Sequence, residues 1–191
     1  NLELENNLTG GRENTLLSVM DNTATPMGGR MLARWLNRPL QDRGEISRRH
    51  EVIDNIISSR KYNDISKTLK GVGDLERILA RIGLRSCRPR DLARLREGLN
   101  QLPELQTILG EIESNAVIEI AKDISTFPDI EQLLTRAIKQ NPPVLIREGG
   151  VIADGYDSEL DELRALSANA GDFLINLEKE ERLRTGITNL K

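Results

Sequence analysis

Apolar residues recur at steps of three and four along most of this chain, which is the spacing of one face of an amphipathic helix. After the pair Thr25-Pro26, for example, the apolar positions that share one helical face are Met31, Leu32, Trp35 and Leu36. Thr25 is a suitable N-cap, and Pro26 suits the first position of a helix. The pattern predicts a mainly α-helical fold built as a multi-helix core.

Aspartate and proline residues predict where several of the helices begin. Asp42 and Asp74 precede stretches with helical apolar spacing and are expected to be N-caps. Pro89, Pro103 and Pro128 each precede another such stretch, and proline is disfavoured in a helix interior because it lacks a backbone N–H. We therefore expect each of these three prolines to open a new helix and none to lie inside one.

One segment breaks the helical pattern and resembles a hairpin. Residues 144–146 (Val-Leu-Ile) and 151–153 (Val-Ile-Ala) are rich in β-formers, and residues 147–150 (Arg-Glu-Gly-Gly) between them are a turn signal. We therefore expect a small β-hairpin over residues 144–153.

The last part of the chain predicts one long helix. Its apolar positions recur at steps of three and four as a narrow stripe that includes Leu160, Leu163, Leu166, Ala170 and Leu177. Nothing breaks the pattern before Gly186, so a helix over residues 158–185 would be about 42 Å long. We expect a helical core domain over residues 1–156 and a long lever-like helix within 157–191, whose stripe needs a partner helix from outside this sequence.

Composition and charge exclude several classes of protein. The formal net charge is −3, whereas a dedicated DNA-binding domain is usually strongly basic, so any contact with nucleic acid is expected to be local. No run of about 18 apolar residues is present, so no membrane span is predicted. A single cysteine, Cys87, and a single histidine, His50, predict neither a disulfide nor a zinc site and fit a reducing, cytoplasmic compartment.

The sequence predicts no catalytic, cofactor-binding or metal-ligating residues. The phosphate-binding pattern G-x-x-x-x-G-K-[ST] is absent, and Gly71-Val72-Gly73 is followed by Glu76 where a dinucleotide-binding loop needs its third glycine. The carboxylates clustered near residues 157–162 suit the start of a helix, where the dipole favours negative charge. We therefore do not expect an enzyme. Since the chain lacks an initiator Met, we expect a piece of a larger protein.

A cluster of arginines is the one charged feature that suggests an interaction surface. Arg77, Arg81 and Arg85 are spaced four apart, on one face of a predicted helix, and only Asp91 is acidic between residues 77 and 96. One interpretation is a stripe that contacts nucleic-acid phosphates. The interpretation we favour is a polar domain interface that pairs with acidic helices, such as those carrying Glu111/Glu113 or Glu178/Glu180.

Several stretches, taken in order, resemble the MutS family of DNA mismatch-repair proteins. The resemblance covers nearly the whole chain. The part of the family that this chain resembles is the central core and the first half of the lever. The stretches that carry it are Thr-Pro-Met-Gly-Gly-Arg-Met-Leu-Ala-Arg-Trp-Leu-Asn-Arg-Pro-Leu at 25–40, Gly-Asp-Leu-Glu-Arg-Ile-Leu-Ala-Arg at 73–81, Arg-Pro-Arg-Asp-Leu at 88–92, Gly-Gly-Val-Ile-Ala-Asp-Gly-Tyr at 149–156, Glu-Leu-Asp at 159–161, Glu-Arg at 181–182, Thr-Gly-Ile at 185–187 and Leu-Lys at 190–191.

This resemblance implies a role as the mechanical middle of a larger ATP-dependent DNA sensor. The family implies a homodimer that encircles mismatched duplex DNA, uses ATP and Mg in another domain, and acts with a downstream MutL-type protein. No family residue that reads DNA or performs catalysis corresponds to a position here. The implied role is to couple the ATPase to the DNA clamp, in the cytoplasm and at the nucleoid. Glycines tolerate large backbone changes, so we predict hinges at Gly149, Gly150, Gly155 and Gly186.

Two other functions stay open at this point. The chain could be a stand-alone helical scaffold that docks a partner helix on the stripe of residues 160–177. It could instead bind nucleic acid through the arginine face of residues 77–96.

Overall fold

The computed structural model describes residues 3–187, apart from the side chain of Asp172. The resemblance at 190–191 and the end of the predicted lever segment lie outside these residues. The chain divides into two compact units, the first ending at Val151 and the second beginning at Ile152. Residues 3–187 are mainly helical and contain no β-strand, so the predicted helical class is confirmed.

Eight α-helices and one short 3-10 turn make up the described part of the first unit. The helices are α1 (Leu16–Met20), α2 (Pro26–Asn37), α3 (Arg43–Ser58), α4 (Tyr62–Val72), α5 (Leu75–Gly83), α6 (Pro89–Gly110), α7 (Asn115–Asp123) and α8 (Pro128–Ala137).

The predicted helix starts are confirmed where a polar side chain precedes the first turn. The Thr25 hydroxyl accepts the N–H of Gly28 at 3.0 Å, and a carboxylate oxygen of Asp42 accepts the N–H of Glu45 at 3.0 Å. Asp74 accepts the N–H of Arg77 at 3.3 Å. Each cap satisfies a donor that the first helical turn leaves without an intrahelical partner.

The prediction for Pro103 is wrong, because this proline lies inside α6 and opens no helix. Proline removes one hydrogen bond to the carbonyl of the residue four positions earlier, which here is Leu99. Pro103 is exposed, whereas its neighbours Leu102 and Leu105 are buried. Burial of the apolar face therefore carries the helix past the proline, since tertiary packing routinely overrides local propensity.

The predicted hairpin over residues 144–153 is absent as well. Ile146–Glu148 form a 3-10 turn, in which the N–H groups of Glu148 and Gly149 donate to the carbonyls of Leu145 and Ile146 at 3.1 and 3.0 Å. These local bonds occupy backbone groups that a hairpin ladder would need. Val151 instead accepts the N–H of Lys139, just after α8, at 3.0 Å.

The core of the first unit is organised around α6. Helices α4, α5, α7 and α8 all pack against α6, and α3 packs against α7. The central cluster is apolar and comes from α6, α7 and the turn between them: Leu105, Leu109, Ile112, Val117 and Ala121. Partly buried side chains that include Val52, Ile56 and Leu69 cover this cluster from α3 and α4. Burial of these aliphatic groups is the main favourable contribution to folding.

Gly98 of α6 lies directly against the end of α4. A Cβ atom at this position would lie 2.4 Å from the carbonyl oxygen of Val72 and 2.9 Å from Cδ2 of Leu75. Both distances are shorter than van der Waals contact, and the nearer atom belongs to the backbone. Glycine at position 98 is therefore required for the end of α4 to rest on α6.

The described part of the second unit is dominated by α9 (Ser158–Thr185), which has 28 residues. The predicted helix is confirmed, and its N-cap is Asp157, which accepts the N–H of Leu160 at 2.9 Å. Arg164 joins the helix to the segment before it by donating to the carbonyl of Ile152 at 2.9 Å and to Asp154 at 3.0 Å.

Substitution Gly98→Ala should destabilise the first unit. The added methyl group forces α4 away from α6, and overpacking of this kind costs about 1–3 kcal/mol in the free energy of unfolding. Urea titration followed by circular dichroism measures the change.

The matched control is Gly110→Ala at the other end of α6, where an added Cβ meets no atom within 4 Å. Alanine has the higher helix propensity, so this variant should be unchanged or more stable by up to about 1 kcal/mol. Equal stability of the two variants would contradict the close approach at Gly98.

Candidate functional site

Helix α5 is held to its neighbours by two sets of ion pairs, and the first joins it to α2. The guanidinium of Arg30 donates to both carboxylate oxygens of Asp74, from Nη1 at 2.9 Å and from Nη2 at 2.7 Å. It also donates to Oε2 of Glu76, from Nε at 3.0 Å and from Nη2 at 2.6 Å. This forked geometry fixes direction as well as distance, which a lysine could not do.

Asp74 therefore has two functions at the start of α5. It caps the helix through the N–H of Arg77, and it receives the guanidinium of Arg30. The hydrogen bond from Arg30, more than the helix N–H, holds the pKa of Asp74 below its ordinary value. Sequence reasoning found the cap but not the ion pair, because Arg30 and Asp74 are distant in sequence and no local pattern links them.

The second ion pair joins α5 to the start of α6. Nη1 of Arg81 lies 2.6 Å from Oδ1 of Asp91, while the N–H of Arg88 donates to Oδ2 of Asp91 at 3.1 Å. The Asp91 side chain is only 8 % exposed. Burial by itself raises the pKa of Asp91, but the hydrogen bonds from Arg88 and Arg81 outweigh it, and the pKa of the carboxyl is lowered.

The structure separates the three arginines of the predicted basic interface. Arg77 and Arg81 lie on α5, but Arg85 lies beyond its end with a left-handed φ of 54°. The expectation of a single helical face is therefore wrong for Arg85, because α5 ends at Gly83. Arg77 and Arg81 pair with Asp74 and Asp91, and Glu111, one of the predicted acidic partners, pairs with Lys61. Whether the arginines form an interface stays a prediction.

Another arginine of the same sequence cluster, Arg96, is a structural residue. Its side chain is buried and donates to the carbonyl of Ile138 at 2.9 Å and to that of Gln140 at 3.2 Å. These carbonyls follow the end of α8 and have no partner within that helix. Arg96 therefore holds the segment after α8 against α6, which the charge pattern alone did not reveal.

The four glycines predicted as hinges all have a left-handed backbone. Their φ angles are 71° at Gly149, 68° at Gly150, 82° at Gly155 and 70° at Gly186. An added Cβ would meet no atom within 4 Å at any of them, so the backbone angle and not space favours glycine. Gly155 also donates its N–H to Oδ2 of Asp161 at 2.7 Å. Their role as hinges stays a prediction.

An apolar groove of about 650 Å³ lies between α2 and α3 and extends to Ile120 of α7. Trp35 lines it, is 44 % exposed, and lies beneath the guanidinium of Arg49, 3.9 Å from the ring centroid. The sequence placed Trp35 on an apolar helical face but gave no sign that this face is half open. The stacked arginine covers one side of the ring and keeps its own charge in water.

Two classes of site are not found in residues 3–187. No group of three or more His, Cys, Asp or Glu side chains there is arranged to hold a metal ion. No helix in the same part of the chain has both the length and the apolar content that crossing a membrane requires.

Substitution Asp91→Asn should lower the free energy of unfolding at neutral pH. It should also make that free energy depend less on pH in the acidic range. The folded-state pKa of Asp91 lies below the unfolded value of about 3.9, so the ionised carboxylate stabilises the fold above that pH. This stabilisation is lost as the pH falls through the lower folded-state pKa. At neutral pH the variant should lose about 1–3 kcal/mol in the free energy of unfolding, and the difference should narrow in acid.

Urea titrations of the unsubstituted chain and of Asp91→Asn, from neutral pH down into acid, measure the effect. The control is Asp54→Asn on the exposed side of α3, which should change stability little at any pH. A constant difference between Asp91→Asn and the parent chain at all pH values would show that the charge of Asp91 is not what stabilises the junction.

The arrangement of the described residues is one of fixed helices and ion-paired junctions. A family model described as MutS domain III matches residues 1–189. The match spans nearly the whole chain and includes the ordered stretches at 25–40, 73–81 and 149–156. The chain therefore belongs to the MutS family, and its residues 1–189 correspond to domain III of that family.

Proposed function

We propose that this chain is the non-catalytic core and first lever segment of a MutS-type DNA mismatch-repair protein. Its role in the parent protein is to couple the state of the ATPase to the DNA clamp and to mismatch recognition. The observation that carries the proposal is α9, a continuous helix of 28 residues in a chain that matches domain III along nearly its whole length. A helix of this length transmits displacement over about 42 Å.

Coupling through rigid bodies requires junctions that do not yield when a load is applied. Three features of the first unit support this requirement: the forked Arg30–Asp74 pair, the Arg81–Asp91 pair and the close packing at Gly98. In the second unit Arg164 braces the start of α9 through Asp154, Asp161 and the carbonyl of Ile152. Packed interfaces of this kind change between discrete arrangements and do not deform continuously.

Motion is then confined to the ends of the rigid elements. Gly149, Gly150 and Gly155 precede α9, and Gly186 is its C-cap. We propose these glycines as the points at which backbone angles change, since hinge positions are commonly at element ends.

The rest of the proposed mechanism belongs to the parent protein. There, ATP and Mg bind in a separate ATPase domain, and a homodimer encircles mismatched duplex DNA and acts with a MutL-type protein. The fragment itself contributes no catalytic group, and its partners are other domains of the same chain. The parent is expected in the cytoplasm, associated with the nucleoid.

Substitution Gly155→Ala in the parent protein should impair ATP-driven release from mismatched DNA more than initial mismatch binding. Alanine keeps the N–H that Asp161 accepts but makes the left-handed backbone of residue 155 unfavourable by about 1 kcal/mol. Proline is unsuitable here, because it lacks the N–H and cannot adopt a φ of 82°. Both steps, initial binding and ATP-driven release, are measured on surface-bound DNA that contains one mismatch.

The control is Gly171→Ala in the middle of α9, where an added Cβ meets no atom within 4 Å. This variant should leave both steps unchanged, because residue 171 lies inside a continuous helix, whose backbone angles alanine adopts readily. Equal losses of binding and release in Gly155→Ala, or no loss of either, would count against a hinge at Gly155.

A second candidate function is a helical scaffold that binds a partner helix. The observation that favours it is the exposure of the α9 stripe: the exposed fraction is 57 % for Leu163, 64 % for Leu166 and 65 % for Phe173. Contiguous exposed apolar side chains mark interaction sites more often than free surface.

If the isolated chain self-associates through this stripe, substitution Leu163→Asp should abolish the association. A carboxylate in the middle of an apolar helix seam would have to be buried without a partner. Sedimentation equilibrium measures the monomer–dimer balance. The control Ala165→Asp adds the same charge on the opposite side of α9 and should leave the balance unchanged. If the unsubstituted 191-residue chain is monomeric at every concentration, the self-association proposed here does not occur.

A further inference from the structure

A polar cleft of about 480 Å³ lies where the end of α4 meets α5 and α6. Four cationic side chains line it: Lys70 from α4, Arg77 and Arg81 from α5, and Arg94 from α6. Three carboxylates line it too, from Asp74, Asp91 and Glu97. The cleft therefore collects cations from three different helices.

The carboxylates of the cleft do not neutralise these cations equally. Asp91 is bound by Arg81, and Asp74 is bound in a forked pair by Arg30, which does not line the cleft. Arg77 approaches Asp74 only at 3.6 Å. Among residues 3–187, neither Lys70 nor Arg94 has an acidic partner within 4 Å. Lys70, Arg94 and the loosely paired Arg77 thus face one carboxylate, Glu97, that forms no ion pair within the described residues.

The shape of the cleft strengthens the effect of this excess charge. Its lining includes the buried side chain of Ile78 and the buried carboxylate of Asp91, so part of the lining is shielded from water. Four cations and three carboxylates give the lining a formal excess of one positive charge, and walls of low dielectric strengthen the interaction of that charge with an anion. An anionic group that enters the cleft gains more than it would on a flat surface.

We propose that this cleft is a docking site for an acidic segment of a partner protein, which places Asp or Glu side chains between Arg77, Lys70 and Arg94. Arginine suits this role because its planar guanidinium binds a carboxylate through two parallel hydrogen bonds. Arg77 can do so, since its ion pair with Asp74 is long, at 3.6 Å, and its side chain is 69 % exposed.

A protein partner fits this surface better than a nucleic acid does. The cations line a hollow, whereas the phosphates of a duplex lie on a convex surface too broad to enter it. Helix α5 also exposes two apolar side chains, Leu79 and Ile82, on its other flank. Protein interfaces are enriched in arginine and have an apolar core, whereas contacts to phosphates use polar groups.

The test uses the whole 191-residue chain and two fluorescein-labelled probes. One is a short peptide of Glu residues interrupted by single Leu residues, and the other is a short DNA duplex. Fluorescence anisotropy should show saturable binding of the peptide that weakens as salt is added. Binding of the duplex should be weaker at the same ionic strength.

The variant Arg77→Gln with Arg94→Gln removes two cations of the cleft without touching the Arg81–Asp91 pair. It should raise the dissociation constant for the peptide by about tenfold or more, since each charge-assisted contact contributes substantially to affinity. The matched control, Arg43→Gln with Arg136→Gln, removes the same charge from exposed positions outside the cleft. It should leave the dissociation constant within about twofold of the parent value. Circular dichroism and thermal melting confirm that both variants are folded.

Four results would overturn the proposal. Absence of peptide binding at low salt would show that the cleft does not attract carboxylates. An equal loss in the control variant would show attraction to net charge and not to the cleft. Tighter binding of the duplex, lost in Arg77→Gln/Arg94→Gln, would assign the cleft to nucleic acid. Self-association of the chain that this variant abolishes would make a second copy the occupant.

Discussion

The close approach of α4 to α6 at Gly98 is the constraint on which the first unit depends. Because position 98 has no side chain, the backbone at Val72 rests against α6, and the residues that follow are positioned to begin α5. Helix α6 also carries α7 and α8 on its other surfaces. A displacement of α4 would therefore disturb the start of α5, and with it both ion pairs that hold this helix.

Those ion pairs place charge where helix geometry already requires a polar group. Asp74 and Asp91 each accept a backbone N–H at the start of a helix, so their carboxylates are fixed before any arginine binds them. Because these carboxylates are already ordered, the binding of Arg30 and Arg81 costs no further conformational entropy of the carboxylate side chains. This is why two partly exposed arginines can define junctions, although isolated surface ion pairs usually contribute little.

Local sequence patterns predicted the helices and their starts but not the contacts between them. Thr25, Asp42 and Asp74 were recognisable because a cap acts within one turn. The prediction that Pro103 opens a helix was wrong, because burial of its neighbours on α6 outweighs the lost hydrogen bond. The prediction of a hairpin was wrong because residues 146–148 form a turn with local backbone hydrogen bonds. The partners of Arg30 and Arg96 lie on other helices, so only the fold reveals them.

The arginine cluster, uniform in sequence, thus contains side chains with opposite roles. Arg81 binds a carboxylate and Arg96 binds carbonyl groups, whereas Arg77 has only a long ion pair and Arg94 has no acidic partner within 4 Å in residues 3–187. The pKa values of Asp74 and Asp91 are lowered, because each carboxylate accepts hydrogen bonds from arginine and from the backbone. The attraction of the cleft for an anion depends on the positions of α4, α5 and α6, and any rearrangement of these helices would change that attraction.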